Sequence, residues 1–123
     1  MYNGKTAITS ALTADALLIA IVPASRISDG IRASKEPVYP YITFEEIDNR
    51  PGLFADEDEV ESEVTFRIHI WGTSSVSVIS GYVDRIMNTI EYVRNYSRDE
   101  DEQLDSGVII KHKIMSYTGN FTA

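Results

Sequence analysis

The sequence predicts an α+β domain: a small antiparallel sheet of about three to four strands with two helices packed on one face, in the order α-β-β-α-β. Residues 39–48 and 63–72 alternate apolar and polar side chains, as half-buried strands do. A strongly acidic stretch joins these two segments, and each is flanked on its outer side by a segment with helical periodicity. We expect residues 1–123 to form a single domain, because a chain of this length buries one core.

Composition narrows the possible functions. The chain contains no cysteine, which excludes a disulfide framework and a thiolate zinc site. Its net charge of −8 argues against a surface that wraps DNA, since such a surface must be basic. An acidic wall instead repels phosphate, so a duplex would slide past it without specific binding.

The first helix is predicted over residues 6–22, where apolar side chains recur at three- and four-residue spacings and Pro23 ends the pattern. The apolar run at residues 17–22 raises the alternative of a secretory signal. Asp15 and nearby polar residues interrupt that pattern, and the run is far shorter than a membrane span. We therefore expect a buried amphipathic helix and no association with a membrane.

The connection between the two clear strands is the most acidic part of the chain. Arg50-Pro51-Gly52 is expected to end the first strand, and residues 56–63 then carry six carboxylates in eight residues. Like charges in a run repel one another, so this segment is predicted to be a solvated loop or a hairpin tip. A calcium-binding EF-hand loop needs a central glycine and a glutamate at its twelfth position, and neither is correctly placed. The six carboxylates belong to Asp56, Glu57, Asp58, Glu59, Glu61 and Glu63.

The second strand has two faces of different character. Its core face is predicted to hold Val64, Phe66, Ile68 and Ile70. The opposite face carries Arg67, His69 and Trp71. Aromatic and arginine side chains that face outward are enriched at interfaces. These three residues are therefore the candidate subunit interface.

The rest of the chain is predicted as a helix, a loop and a last strand. Apolar residues spaced by four, three, four and three indicate a helix over residues 75–96. Residues 98–103 are acidic and are predicted as a loop, and residues 106–117 alternate like a strand. The place of this last strand in the sheet stays open.

No catalytic, cofactor-binding or metal-ligating residue is predicted. His69 and His112 are the only histidines, and neither has a neighbour at metal-ligand spacing. The sequence lacks a GxSxG nucleophile elbow, and it lacks the GxGxxG and GxxxxGK[ST] loops that cradle phosphates. We therefore do not expect an enzyme, nor a bound cofactor.

Four segments taken in order resemble a phage protein family. They are DALLIAIV at residues 15–22, PYITFEE at 40–46, EVTFRIHIWG at 63–72 and VSVISGYVDRIMNTI at 76–90. The set is similar to the tail completion or tail-to-head joining proteins of long-tailed phages and prophages, which are similar to tail terminator proteins.

The resemblance implies a small α+β subunit that is assembled in the host cytoplasm and resides in the virion tail. Six copies would form a ring that caps the finished tail tube and docks to the head connector or stopper protein. DNA would pass through the lumen. The run of acidic charge separately suggests the hypothesis that these six residues line that lumen or its mouth. The family offers no catalytic residues to transfer.

Two alternatives stay open. The first is a head-tail connector or neck adaptor protein of the same particle, which would share the charge and size. The second is a small ligand-binding α+β domain, which would need a pocket with convergent polar groups. We also expect that Trp71→Ala, or reversal of the charge of Arg67, weakens ring formation more than folding.

Overall fold

The structure is a computed structural model that describes residues 2–30, 37–55 and 58–122. Within those residues the chain forms three α-helices, a short 3₁₀ turn at Ala24–Arg26 and six strands. The helices are α1 (Gly4–Ala14), α2 (Ala16–Ile19) and α3 (Ser77–Thr89). The strands are β1 (Ile27–Asp29), β2 (Tyr41–Ala55), β3 (Asp58–Gly72), β4 (Val93–Asp99), β5 (Glu102–Gln103) and β6 (Ile109–Thr122).

The sheet is mixed and has more strands than predicted. Its described strands follow the order β1-β2-β3-β6-β4, and β5 pairs with the start of β6. β1 runs parallel to β2, with Ile27 opposite Ile42, and the other pairs are antiparallel. The α+β class is confirmed, but the purely antiparallel sheet of three to four strands is wrong. β1 and β5 have three and two residues, too few to show a period of two in the sequence.

The helices cover one face of the sheet and form the main core with it. The predicted core side chains of β3, Val64, Phe66, Ile68 and Ile70, are fully buried. Apolar side chains of all three helices pack in the same cluster, among them Ile8, Leu12, Leu18, Val83 and Met87. Burying each such side chain stabilises the fold by about 1.5–3 kcal/mol.

The N-terminal helix is not continuous as predicted. α1 ends at Ala14, and Asp15 has extended dihedral angles, φ −81° and ψ 114°. The Asp15 carboxylate accepts a hydrogen bond from the Leu18 N–H at 3.0 Å, which caps α2. An aspartate within an apolar periodic pattern therefore marks the start of a second helix, because it satisfies a backbone donor there.

The hairpin of β2 and β3 is much longer than predicted. Each strand has 15 residues, and Pro51 pairs opposite Ser62 instead of ending β2. The register of the pairing shifts near Glu46 and Leu53, and the two strands remain paired beyond Pro51. Asp58–Glu63 is consequently part of β3 and not a loop. Asp56 and Glu57, where the hairpin tip was predicted, lie outside the described residues.

The predicted second helix ends early. α3 stops at Thr89, and Glu91 has a positive φ of 70°, which turns the chain out of the helix. Residues 93–96, predicted as helix, instead belong to the edge strand β4. The predicted acidic loop at residues 98–103 contains the end of β4 and all of β5. The last strand is confirmed, although it runs from Ile109 to Thr122.

Candidate functional site: the helix-free face of the sheet

A row of rings crosses the sheet on the face away from the helices. The rings of Trp71 and His112 stack at 3.5 Å between centroids, with 9° between their planes. Tyr41 stacks on Trp71 at 5.6 Å, and Tyr39 packs on Tyr41. His69 follows, 5.0 Å from His112. We call these five residues the ring row. It arises because the central strands β2, β3 and β6 each place alternate side chains on this face.

The two histidines are hydrogen bonded to each other. Nδ1 of His69 lies 2.8 Å from Nε2 of His112, and Nε2 of His69 lies 3.5 Å from the Glu45 carboxylate. A carboxylate only accepts, so the His69 nitrogen facing it is the one that carries the proton. The other His69 nitrogen then accepts, and His112 donates to it. This assignment rests on the geometry of the neighbours.

Both imidazoles are held neutral. Burial lowers the pKa of His69 below its usual range, and the Glu45 carboxylate 3.5 Å from its Nε2 opposes that change. Burial also lowers the pKa of His112, and the adjacent His69 lowers it further. Around pH 7 the pair is therefore uncharged.

Asp101, which lies between β4 and β5, binds the backbone of His112. The Asp101 carboxylate accepts from the His112 backbone N–H and from the Lys111 ammonium, each at 3.2 Å. The backbone hydrogen bond, followed by the one from Lys111, lowers the pKa of Asp101. These contacts hold the turn between β4 and β5 against β6.

The three predicted interface residues do share this face, but two of them are not exposed. Trp71 and His69 are only 3% and 6% accessible within the subunit. The side chain of Arg67 is 38% exposed, with its guanidinium 3.9 Å from Glu45. Trp71 lies on the predicted side of the sheet, but it is covered within the subunit because β6, whose position was open, brings His112 against it.

Sequence reasoning missed three members of the row, Tyr39, Tyr41 and His112. Tyr41 and His112 occupy alternate positions in strands that were recognised. The missing information was the pairing of β3 with β6, which sets His112 opposite Trp71 and Ile114 opposite His69. Alternation in the sequence predicts which face of the sheet a side chain occupies, but it does not predict which strand pairs beside it.

The predicted acidic cluster lies at the far end of the long hairpin. We call residues 50–55 and 58–63 the arm. Asp58 is exposed, while Glu61 and Glu63 are half-buried. Glu63 accepts from the Arg50 guanidinium at 2.7 Å, so part of this negative charge is compensated. The structure therefore presents these carboxylates on a paired strand.

Pockets on the described part of the surface do not suggest a ligand site. One of about 330 Å³ is lined by Ser75, Asp99, Asp101, Lys111 and Lys113, and its ionic groups pair with one another. A second, of about 290 Å³, is lined mainly by small and apolar residues near the start of α3. Neither contains a residue of the ring row. Among the described residues no three His, Cys, Asp or Glu side chains are grouped to hold a metal ion. No described helix has the length and apolar character needed to cross a bilayer.

Comparison with known proteins decides the family. The family model described as "Tail completion protein gp17" matches residues 6–107. That span contains most of α1, all of α2 and α3, the long hairpin and the edge strand β4. The chain belongs to this family. It is a structural protein of the virion tail.

A solved structure has the same fold as this tail completion protein. It comes from a particle titled "Virion of native gene transfer agent (GTA) particle", with a TM-score of 0.57 and 11% sequence identity. The similarity covers 97% of this chain and 94% of that one. A search of curated proteins gave no significant match. At this identity the similarity establishes the fold alone.

Proposed function

We propose that this tail completion protein forms a homohexameric ring at the head-proximal end of the tail. The ring ends the tail tube and joins it to the head connector, and DNA passes through its lumen. The match of residues 6–107 to the tail completion family carries this proposal. The function is non-catalytic: the subunit acts by binding copies of itself, the tube protein below it and the connector above it.

The negative charge of the arm supports the proposal that the arm lies beside the DNA that passes through the ring. The arm is a hairpin whose second strand carries Asp58, Glu61 and Glu63, and the sequence between its two strands adds Asp56 and Glu57. Negative charge repels the phosphate backbone, so a duplex moves along such a wall without being held. We place the arm at the lumen or its mouth. A particle reconstruction with the arm on the outer rim would contradict this placement.

Ring formation is tested by light scattering on the purified protein, with negative-stain images of the same sample. We expect six-fold rings with a central hole, either for the protein alone or after addition of tail tubes that lack it. Binding to tubes and the appearance of end caps support the tail-terminating role. Binding to isolated connectors without binding to tubes would instead support a neck adaptor. Failure to form rings under either condition would overturn the proposal.

A further inference from the structure

One lateral edge of the sheet is an unpaired strand. β4 pairs with β6 on one side only, and no described strand lies on its other side. All seven residues, Val93–Asp99, are exposed. Such an edge presents a row of backbone donors and acceptors that a further strand can pair with.

The opposite edge of the sheet is β2. β1 covers β2 only where Ile27–Asp29 pairs with residues 42–44. Beyond Glu45 no described strand pairs with the outer side of β2, and most residues from Glu46 to Ala55 are exposed. Pro51 lies within this stretch, as expected for a strand that is an edge in the isolated subunit.

Exposed apolar side chains lie on both edges. On β4, Val93 is 67% and Tyr96 is 43% exposed. On β2, Ile47 is 44% and Phe54 is 57% exposed. Large apolar groups on an edge strand favour pairing with another strand. Natural monomers avoid such pairing by placing charged side chains on the edge or by covering it with a helix or loop.

The net charges of the two edges are opposite in sign. β4 carries Arg94 and Arg98 against Asp99, a net charge of +1. The outer part of β2, from Glu46 to Ala55, carries Glu46 and Asp48 against Arg50, a net charge of −1. Intramolecular ion pairs such as Arg98–Glu100 leave both arginine side chains about half exposed. Opposite net charges favour pairing of one edge with the other over pairing of two like edges.

Strand direction fits the same pairing. The strands alternate in direction along β2, β3, β6 and β4, so β4 is antiparallel to β6 and also to β2. In a ring every subunit has the same orientation about the axis, and each contact joins two different surfaces. A β4 placed beside the β2 of the next copy is therefore an antiparallel neighbour.

We infer that the subunits contact one another edge to edge, with β4 of one copy pairing with β2 of the next. The inference rests on the proposed ring and names its contact. Because β1 already covers residues 42–44, the incoming β4 pairs from Glu45 towards the arm. The sheets of the six copies would then continue around the ring. Val93 and Tyr96 would be buried against the apolar residue of this stretch of β2 that the register brings opposite them, Ile47 or Phe54.

Engineered disulfides test this contact, since the chain has no cysteine of its own. Tyr96→Cys is combined in turn with Ile47→Cys, Asp48→Cys and Phe54→Cys, because the register between copies is open. Within one subunit β6 and β3 separate these strands by three spacings, roughly 14 Å. A disulfide needs Cα atoms within about 7 Å, so it can form only between copies. Tyr96→Cys with Val78→Cys, which is exposed on α3, is the matched control.

We expect at least one β4–β2 pair to give a ladder of covalent oligomers up to the hexamer on oxidation of rings. The control pair should remain monomeric on the same gel, and thermal melting confirms that each variant is folded. Rings that form while every β4–β2 pair stays uncrosslinked, or the control crosslinks equally, would overturn the edge contact and leave the ring intact. Absence of rings, alone or on tubes, would overturn the proposed function itself.

Discussion

Nδ1 of His69 and Nε2 of His112 lie 2.8 Å apart and join the two central strands, β3 and β6. The pair is buried beside the stacked rings of Trp71 and Tyr41 on the helix-free face. A hydrogen bond between two neutral imidazoles depends on one nitrogen staying unprotonated. The centre of the sheet therefore contains a contact that acid weakens.

We predict that the free energy of unfolding falls as the pH drops below about 6.5, the pKa of histidine in an unfolded chain. Both histidine pKa values are lowered by folding, so the unfolded chain binds protons more readily in this range. The stabilising contribution is complete above that pH and is lost as the pH falls through the folded pKa values. Urea unfolding between pH 8 and pH 5 measures it.

The double variant His69→Gln/His112→Gln is the control for this pH dependence. The chain contains only two histidines and no cysteine, so the variant removes every side chain that ordinarily titrates between pH 5 and 8. We expect its stability to vary much less with pH over that range. An equally steep loss in the variant would mean that carboxylates, and not the histidine pair, cause the effect.

Gly4 lies where α1 meets the core, and a side chain there has no room. A Cβ at this position would lie 2.6 Å from the Tyr92 hydroxyl and 2.7 Å from Phe66 Cε2. We expect Gly4→Ala to destabilise the fold by about 1–3 kcal/mol, as overpacking does. Gly81→Ala is the matched variant, since a Cβ there meets nothing within 4 Å on the exposed side of α3. That change should stabilise by about 0.5–1 kcal/mol. Equal melting temperatures for the two variants would contradict this account.

Asp15 has two structural roles that substitution can separate. It caps α2 through Leu18, and it holds Arg85 of α3 with an ion pair of 2.9 Å. The hydrogen bond from Arg85 and that from Leu18 lower the pKa of Asp15, so its contribution is present at neutral pH and is lost as pH falls through the folded pKa. We expect Asp15→Ala to melt at a lower temperature than Asp15→Asn, because asparagine retains a capping oxygen. The reverse order would show that the cap matters less than the side-chain volume.

Duplex DNA should bind this protein only weakly, even in assembled rings. Binding driven by counterion release requires basic residues facing phosphate, and this chain has a net charge of −8. We expect no retarded band for the native protein at physiological salt. Asp58→Lys combined with Glu61→Lys should create salt-sensitive binding if the arm faces the DNA path. A retarded band from the native protein that persists at physiological salt would contradict the interpretation that duplex DNA passes this acidic protein without being bound.

Much of the fold could be predicted where the structure is determined by residues close together in the sequence. The core face of β3 follows from simple alternation, and the periodic apolar residues of α3 follow from helical spacing. β4 was missed because Val93 continues the helical spacing of Ile86 and Ile90. The positive φ at Glu91 ends that helix, and nothing in the sequence pattern marks it.

The candidate face could be predicted only in part. Placing Arg67, His69 and Trp71 away from the core was correct, since strand geometry alone determines it. The burial of His69 and Trp71 was not predictable, because it depends on β6, whose His112 lies 43 residues after His69 in the sequence. Pairing between distant strands is a tertiary property, and a single sequence does not record it.

This burial changes what the replacement of Trp71 should do. The indole is 3% exposed and packs between Tyr41 and the ring of His112. Trp71→Ala should therefore destabilise the subunit by about 3–5 kcal/mol, and any loss of rings would follow from loss of folding. The initial expectation that this variant spares folding does not fit the structure. Unfolding curves for the monomer measure the change directly.

Arg67→Glu is the informative companion, because its side chain is partly exposed and its Glu45 contact at 3.9 Å is long. A solvent-accessible pair contributes at most about 1 kcal/mol, so the variant should remain folded. If Arg67 contacts a neighbouring subunit, light scattering should show fewer rings at unchanged subunit stability. If the edges β4 and β2 make the contact by themselves, rings should persist in Arg67→Glu and be lost in Tyr96→Glu. The two variants thus separate a contact through the sheet face from one through the sheet edge.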